Sequence, residues 1–360
     1  MVIRVNNDPY IAQISYKGNV ILDYPSVRKM NEVWIEKYRP KDLSGIYGQE
    51  DAVRKLKSFV QSGQLPHIIF SGPAGTGKTA SAMAVAMELF GETWKENFLE
   101  LNASNNRGIN VIRGHEDRDD KYEGMVSVKD YARIMPSNER GFKIIFLDEA
   151  DQLTPEAQAA LRRTMEIYSS TTRFIFSCNY SSQIIPPIQS RCVILRFRPL
   201  SENELKRKMF DIAKSEGFVL SDESAEAIAD VSSGDMRSAI NILQAAHFSG
   251  DISAVKIYDI AGMASSKEFE RILASAIDHQ DFTQTIGMLD TMMIQKGLSG
   301  IDIVRGMHSA IRKASIEPRK KIEVIIALAE TEFRLVEGAN DKIQLDALVA
   351  NLVKVGSDLN

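Results

Sequence analysis

An α/β fold with a mostly parallel sheet, followed by an all-helical C-terminal part, is what this 360-residue sequence predicts. Three observations carry that reading. Short apolar runs alternate with helical segments from about residue 31 to residue 200. Two of the runs, 143–147 and 173–177, are almost continuously apolar, as strands of a parallel sheet covered on both faces must be. After Pro199 the strand signals stop and apolar residues recur only at helical spacing.

The elements follow in order. Residues 1–30 form an extension whose stretch from Ile11 to Leu22, folded about Lys17-Gly18-Asn19, has the pattern of a small hairpin. Strands are predicted at His67–Phe70, Phe98–Leu101, Lys143–Leu147, Arg173–Ser177 and Cys192–Phe197, within an α/β region of residues 31–200. Residues 201–265 read as a small helical region, with Leu205, Met209, Ile212 and Ala213 on one stripe and a further helix from about Met236. The stretch around Gly262 marks a boundary. Beyond it, residues 266–360 carry helical stripes through Phe269, Ile272, Leu273 and Ile277, then Ile303, Met307 and Ile311, then Leu345, Leu348 and Leu352. An internal core is the expected use of those stripes.

Composition narrows the function classes. With 44 Lys and Arg against 48 Asp and Glu the formal charge is −4, and 44% of residues are hydrophobic, so the chain is globular rather than disordered. No run reaches the ~18 apolar residues of a membrane span, and the N-terminus lacks a secretory apolar core, so a soluble intracellular protein without a membrane partner is expected. Cys178 and Cys192 are too few for a disulfide scaffold and read as small buried hydrophobes. A mildly acidic total leaves nucleic acid open as a partner, because binding depends on where basic residues cluster.

The most specific motif is Gly72-Pro73-Ala74-Gly75-Thr76-Gly77-Lys78-Thr79, the phosphate-loop pattern G-x-x-x-x-G-K-T, set between a strand and a helix. Backbone N–H groups and a helix start cradle phosphates there. Lys78 is expected to reach the β- and γ-phosphates, and Thr79 to ligate Mg²⁺. The run ending Leu147-Asp148-Glu149-Ala150-Asp151 delivers two carboxylates to a strand tip. Asp148 suits the Mg²⁺, Glu149 suits activation of a water, and Asp151 reads as a cap for the helix near Pro155. Asn179 ends a further apolar strand, a position suited both to orienting the attacking water and to ordinary turn chemistry.

Taken with Trp34-Ile35-Glu36-Lys37-Tyr38-Arg39-Pro40, Ser190-Arg191-Cys192 and Gly234-Asp235-Met236-Arg237, this ordered set resembles the small subunits of replication factor C, sliding-clamp loaders among the AAA+ ATPases. The resemblance is specific over residues 31–265 and looser beyond. It implies an AAA+ P-loop NTPase with a five-stranded parallel sheet, a small helical lid and an all-helical C-terminal collar that serves oligomerisation. It implies that Tyr38, Arg39 and Pro40, with Ile46, Tyr47, Gly48 and Gln49, line an adenine pocket for ATP. Asn179 becomes the first sensor, Arg237 the second, and Arg191 an arginine finger completing a neighbour's site in trans. Arg107 and Arg113 would meet the phosphates of primer–template DNA, whereas the basic residues at 312–313 and 319–321 fall in the collar, where solvent or subunit contacts are expected. The implied partners are further loader subunits (self copies and a large subunit, in a pentamer), a ring-shaped clamp and primer–template DNA, in the cytoplasm or nucleoid of a prokaryote or the nucleus of a eukaryote.

Three features depart from the family pattern: Asn105-Asn106 stands where an acidic pair is usual, residues 114–127 look inserted, and residues 1–30 look added. The function implied is ATP-driven opening of a clamp and its placement on primed DNA during replication. The alternatives are a Holliday-junction branch-migration motor, which would need a β-wing that residues 266–360 lack, and a non-hydrolysing scaffold subunit, which would need vacated catalytic positions.

Overall fold

A computed structural model describes residues 33–104, 112, 127–262, 264–314 and 316–357, and the backbone of 3–4, 12–16 and 19–23. The first strands, β1 (Ile3–Arg4), β2 (Ala12–Tyr16) and β3 (Asn19–Asp23), pair antiparallel in that order. The chain falls into two compact units. One comprises residues up to 212 together with 233–241, and the other comprises 213–232 and 242–360.

The first unit is built on β4 (His67–Ser71), β5 (Phe98–Asn102), β6 (Lys143–Asp148), β7 (Thr172–Cys178) and β8 (Cys192–Arg196). They form one parallel sheet in the order β5-β6-β7-β4-β8. All five expected strands are present, within a residue or so of their ends. Helices α1 (Trp34–Lys37), α2 (Glu50–Ser62), α3 (Lys78–Phe90), α4 (Val128–Arg133), α5 (Pro155–Ile167) and α6 (Pro186–Gln189) complete the layers. Side-chain alternation splits the core in two. Ile68, Phe70, Ile144, Phe146 and Ile175 face α2 and α3, whereas Ile69, Ile145, Leu147, Phe174 and Phe176 face α4 and α5. Both faces are dry, which is why β6 and β7 read as unbroken apolar runs.

Helices α7 (Glu202–Glu216), α8 (Asp222–Ser232), α9 (Met236–Ser249) and α10 (Ala254–Ala261) follow, and the unit boundary cuts α7 and α9. Gly262 closes α10 in the left-handed conformation. The next helix, α11 (Ser266–Ile277), opens on a reciprocal capping box between Ser265 and Glu268. With α12 (Phe282–Lys296), α13 (Gly300–Lys313), α14 (Pro318–Val336) and α15 (Asp341–Gly356), it buries the expected stripes in one cluster. The Lys321 Nζ donates to the carbonyls of Arg312 (2.9 Å) and Ala314 (3.2 Å), and the Lys320 Nζ donates to that of Gly356 (3.1 Å). These lysines therefore satisfy helix-end carbonyls left without intrahelical partners. On α14, Ile322, Ile326, Phe333 and Val336 are exposed, a second apolar stripe beside the buried one. No helix among the described residues is long and apolar enough to cross a membrane.

His67, at the start of β4, accepts a hydrogen bond at Nδ1 from the Phe174 amide (3.0 Å) and lies edge-on to that ring. Burial, with help from Arg173, holds its pKa down to about 4 against an ordinary 6.5. The unfolded chain therefore binds a proton that the folded chain refuses, and the stability present above pH 6.5 is lost as pH falls toward 4. Urea midpoints should show a contribution of up to about 3 kcal/mol disappearing over that window. In His67→Gln that share of the pH dependence should vanish while the carboxylate share remains.

Candidate functional site

The phosphate loop leaves β4 and turns into α3. Gly77, with φ +98°, begins α3 without any side-chain cap, so the first N–H groups of the helix point at the loop unspent. That is the arrangement an anion needs. Gly75 has φ +69°, and a Cβ there would lie 1.7 Å from the Asp235 Oδ1. The Thr76 hydroxyl donates to the Pro73 carbonyl (2.9 Å), and the Lys78 ammonium donates to the carbonyls of Gly72 (2.6 Å) and Pro73 (2.7 Å). Lys78 is only 8% exposed. Burial lowers its pKa, and the nearby carboxylates of Asp148 and Asp151 oppose that fall.

Asp148 ends β6 beside this loop. One oxygen accepts from the Thr79 hydroxyl (3.0 Å) and the other from the Glu149 amide (3.0 Å). A hydroxyl and a carboxylate in direct contact are hard oxygen donors suited to Mg²⁺. Glu149 has φ 52° and ψ 39°, a left-handed backbone on a non-glycine residue. Such strain persists where the surroundings over-determine it and concentrates at functional sites. On the far side of β6, the Ala103 amide just past β5 donates to the Asp148 carbonyl (2.9 Å). On the near side, the Gly72 amide donates to the Cys178 carbonyl (3.1 Å), tying the loop to the tip of β7 and to Asn179.

These tips open on a cavity of about 220 Å³. Its lining includes Ala74 through Thr79, Asp148, Glu149, Asn179 and Arg237, together with Tyr38, Arg39, Pro40 and Tyr47. Gly48 and Gln49 lie outside the lining. Gln49 is buried and exchanges hydrogen bonds with the backbone of Arg198 (2.8 and 3.1 Å), which holds the end of β8 against the loop. The carbonyls of Gly72 and Pro73 serve Lys78 as described. Arg191 is elsewhere: it is exposed, with its guanidinium on the Glu166 carboxylate (2.7 Å) and the Pro187 carbonyl (2.7 Å). Arg107 and Arg113 lie outside the described residues.

Several lining residues escaped the sequence reading. Ile35, Lys208, Met236 and Ile240 all face the cavity. The Lys208 Nζ sits over the rings of Tyr38 (5.9 Å) and Tyr47 (5.2 Å), and burial lowers its pKa. The Tyr47 hydroxyl donates to Asp211, and burial together with that carboxylate pushes the phenol up to about 12. At the start of α9 the Met236 amide donates to the Gly75 carbonyl (3.1 Å), so this segment is bonded directly to the phosphate loop. Asp151 does not cap α5. The Thr154 side chain does so, and Asp151 instead accepts from the Asn179 amide (3.0 Å).

Models of three families match in succession: the DNA polymerase III delta subunit over residues 48–201, the RCF1/5-like AAA+ ATPase lid domain over 208–248, and the replication factor C C-terminal domain over 264–351. A parallel sheet with a phosphate loop, followed by that lid, makes the protein an AAA+ ATPase, a nucleotide-binding class. Curated replication factor C small subunits are similar nearly end to end. That of Thermoplasma volcanium is 57% identical over 92% of this chain and 100% of its own length. That of Archaeoglobus fulgidus is 45% identical over 89% and 97% respectively. A solved Thermotoga maritima RuvB Holliday junction branch migration motor aligns at TM-score 0.49 and 22% identity, over 73% of this chain and 92% of that one. The chain belongs to the replication factor C small subunit family.

Replacing Gly75 by alanine would drive a methyl into Asp235 and require φ +69° of an L-residue. Nucleotide titration of Gly75→Ala should show affinity reduced at least about tenfold, with the thermal midpoint of the apo chain shifted far less.

Proposed function

We propose that this chain, a clamp-loader subunit of DNA replication, couples ATP binding and hydrolysis to opening a ring-shaped clamp and placing it on primer–template DNA. The observation that carries the reading is the division of cations about the cavity. Lys78 and Arg237 line it together with Arg39 and Lys208, whereas Arg191 is exposed on Glu166 and outside the lining. An exposed arginine outside the lining of its own chain's cavity is free to serve the site of a neighbour, which supports subunits that complete one another.

In the hydrolytic step Lys78 holds the β- and γ-phosphates, with the loop amides and the start of α3 around them. Thr79 and Asp148 would hold Mg²⁺, which when bound offsets phosphate charge. Glu149 accepts the proton of a water that Asn179 orients toward the γ-phosphorus. The new phosphorus–oxygen bond forms as the bond to the β–γ bridging oxygen breaks, leaving ADP and phosphate. Arg237 contacts the γ-phosphate within the chain, and Arg191 does so from a neighbour, a contribution of the order of 10³–10⁵ in rate. Tyr38, Arg39, Pro40 and Tyr47 enclose the base. ATP favours an assembly that grips clamp and DNA, and hydrolysis releases both.

Residues 31–200 supply the nucleotide domain, 201–265 the lid and 266–360 the collar, whose exposed stripe on α14 supports a role in subunit contact. Arg107 and Arg113 meet DNA phosphates, a contact that weakens with salt and ignores sequence.

ATPase assays with primer–template DNA, a cognate clamp and the large subunit should show turnover stimulated by their joint presence; a rate indifferent to all three overturns the coupling. Action in trans has its own test. Assemblies of Arg191→Ala alone and of Glu149→Gln alone should be nearly inactive. Mixing the two should restore part of the turnover through interfaces that pair an intact Arg191 with an intact Glu149. No recovery at any ratio argues that Arg191 serves no neighbour.

A further inference from the structure

The turn after β6 contains a carboxylate that caps no helix and stands outside the cavity lining, and whose charge beside Lys78 does not account for its hydrogen bond. The Asp151 Oδ2 accepts from the backbone amide of Asn179 (3.0 Å), 28 positions along the chain. Its other oxygen, Oδ1, is buried with no hydrogen-bond partner among the described residues. The neighbouring N-cap is filled by Thr154, and the turn is closed independently by the Gln152 amide on the Glu149 carbonyl (2.8 Å). Leaving a buried carboxylate oxygen unpaired is costly, so the acid at this position is not accounted for by the stability of its own turn.

What the bond does is visible from the residues around it. The tip of β7 is held at three successive points: the Cys178 carbonyl by the Gly72 amide (3.1 Å), the Asn179 amide by Asp151 (3.0 Å), and the Ser181 amide by the Ser71 hydroxyl (3.2 Å). Two of these anchors belong to β4 and the phosphate loop. The middle one comes from the 3₁₀ turn Ala150–Gln152, which directly follows Glu149. The left-handed backbone of Glu149 swings the chain so that the turn faces β7. Its flanks are fixed, since Ala150, Leu153 and Cys178 are all buried. The residue proposed as base and the anchor of the residue proposed to orient water thus share one rigid turn.

We propose that Asp151 is the positioning residue for Asn179, setting the amide side chain at the tip of β7 relative to Glu149. It acts through a hydrogen bond to the main chain and lies outside the cavity lining. The proposal rests on the reading of Asn179 as the water-orienting group, and the test separates the two. In the assembled loader, DNA-stimulated turnover and nucleotide Kd are measured for Asp151→Ala, Asp151→Asn, Asn179→Ala and the Asp151→Ala/Asn179→Ala pair.

Asp151→Ala should lower kcat about 10- to 100-fold, the scale of a misplacement near 1 Å, a larger change than that in Kd, because the loop is intact and Asp148 still stands beside Lys78. Asp151→Asn keeps an acceptor for the amide and should recover most of the rate. The double variant should be no slower than the slower single one, since both remove the same positioned group. Should Asp151→Ala fail to fold, Asp151→Ser, whose hydroxyl is one bond too short, takes its place. Unchanged kcat in Asp151→Ala, equal losses in Asp151→Asn and Asp151→Ala, or losses that multiply in the pair would each overturn the proposal while leaving Asn179 in its role. Full activity in Asn179→Ala would overturn the reading of Asn179, and the proposal with it.

Discussion

The Lys78 ammonium is the point on which the nucleotide unit depends. It is buried, it donates to two carbonyls of its own loop, and burial works against its charge. A cation kept in so dry a place needs opposite charge nearby. The sheet supplies it by ending β6 in Asp148 and following that with Asp151. Parallel order makes this possible, because every strand presents the same end to the same side and four tips can converge on one loop. An antiparallel sheet would have sent half of those side chains to the opposite edge.

Much of this was legible in the sequence, and the reason is local. Strand periods, the glycine spacing of the loop and the carboxylate pair all sit within short windows, where residue order dictates geometry directly. Misreadings came where a residue's partner was far along the chain. Asp151 stands three residues before Thr154 and a proline, a placement that suggests a cap, yet its partner is Asn179. Gln49 sits in a stretch expected to line the base pocket but is bonded to Arg198, 149 positions away. Lys208 flanks an apolar stripe on α7, and nothing nearby in the sequence says that its amine rests over Tyr38 and Tyr47.

The helical unit teaches the complementary lesson. Its buried stripes were plain on α11, α13 and α15, because each of these helices repeats an apolar period. The run Arg319-Lys320-Lys321 reads as a surface for solvent or neighbours, and two of its amines also donate to carbonyls at the ends of α13 and α15. Helix ends create a demand for donors that hydropathy cannot register. The exposed stripe on α14 was likewise hidden, since a helix apolar on two faces gives only a blurred period.

The small bond between the Ala103 amide and the Asp148 carbonyl has a mechanical implication. Ala103 is the first residue past β5, so this bond joins the chain leaving that strand to the main chain that carries the Asp148 carboxylate. A shift at the end of β5 would reach that carboxylate after crossing one hydrogen bond, with no whole-domain swing required.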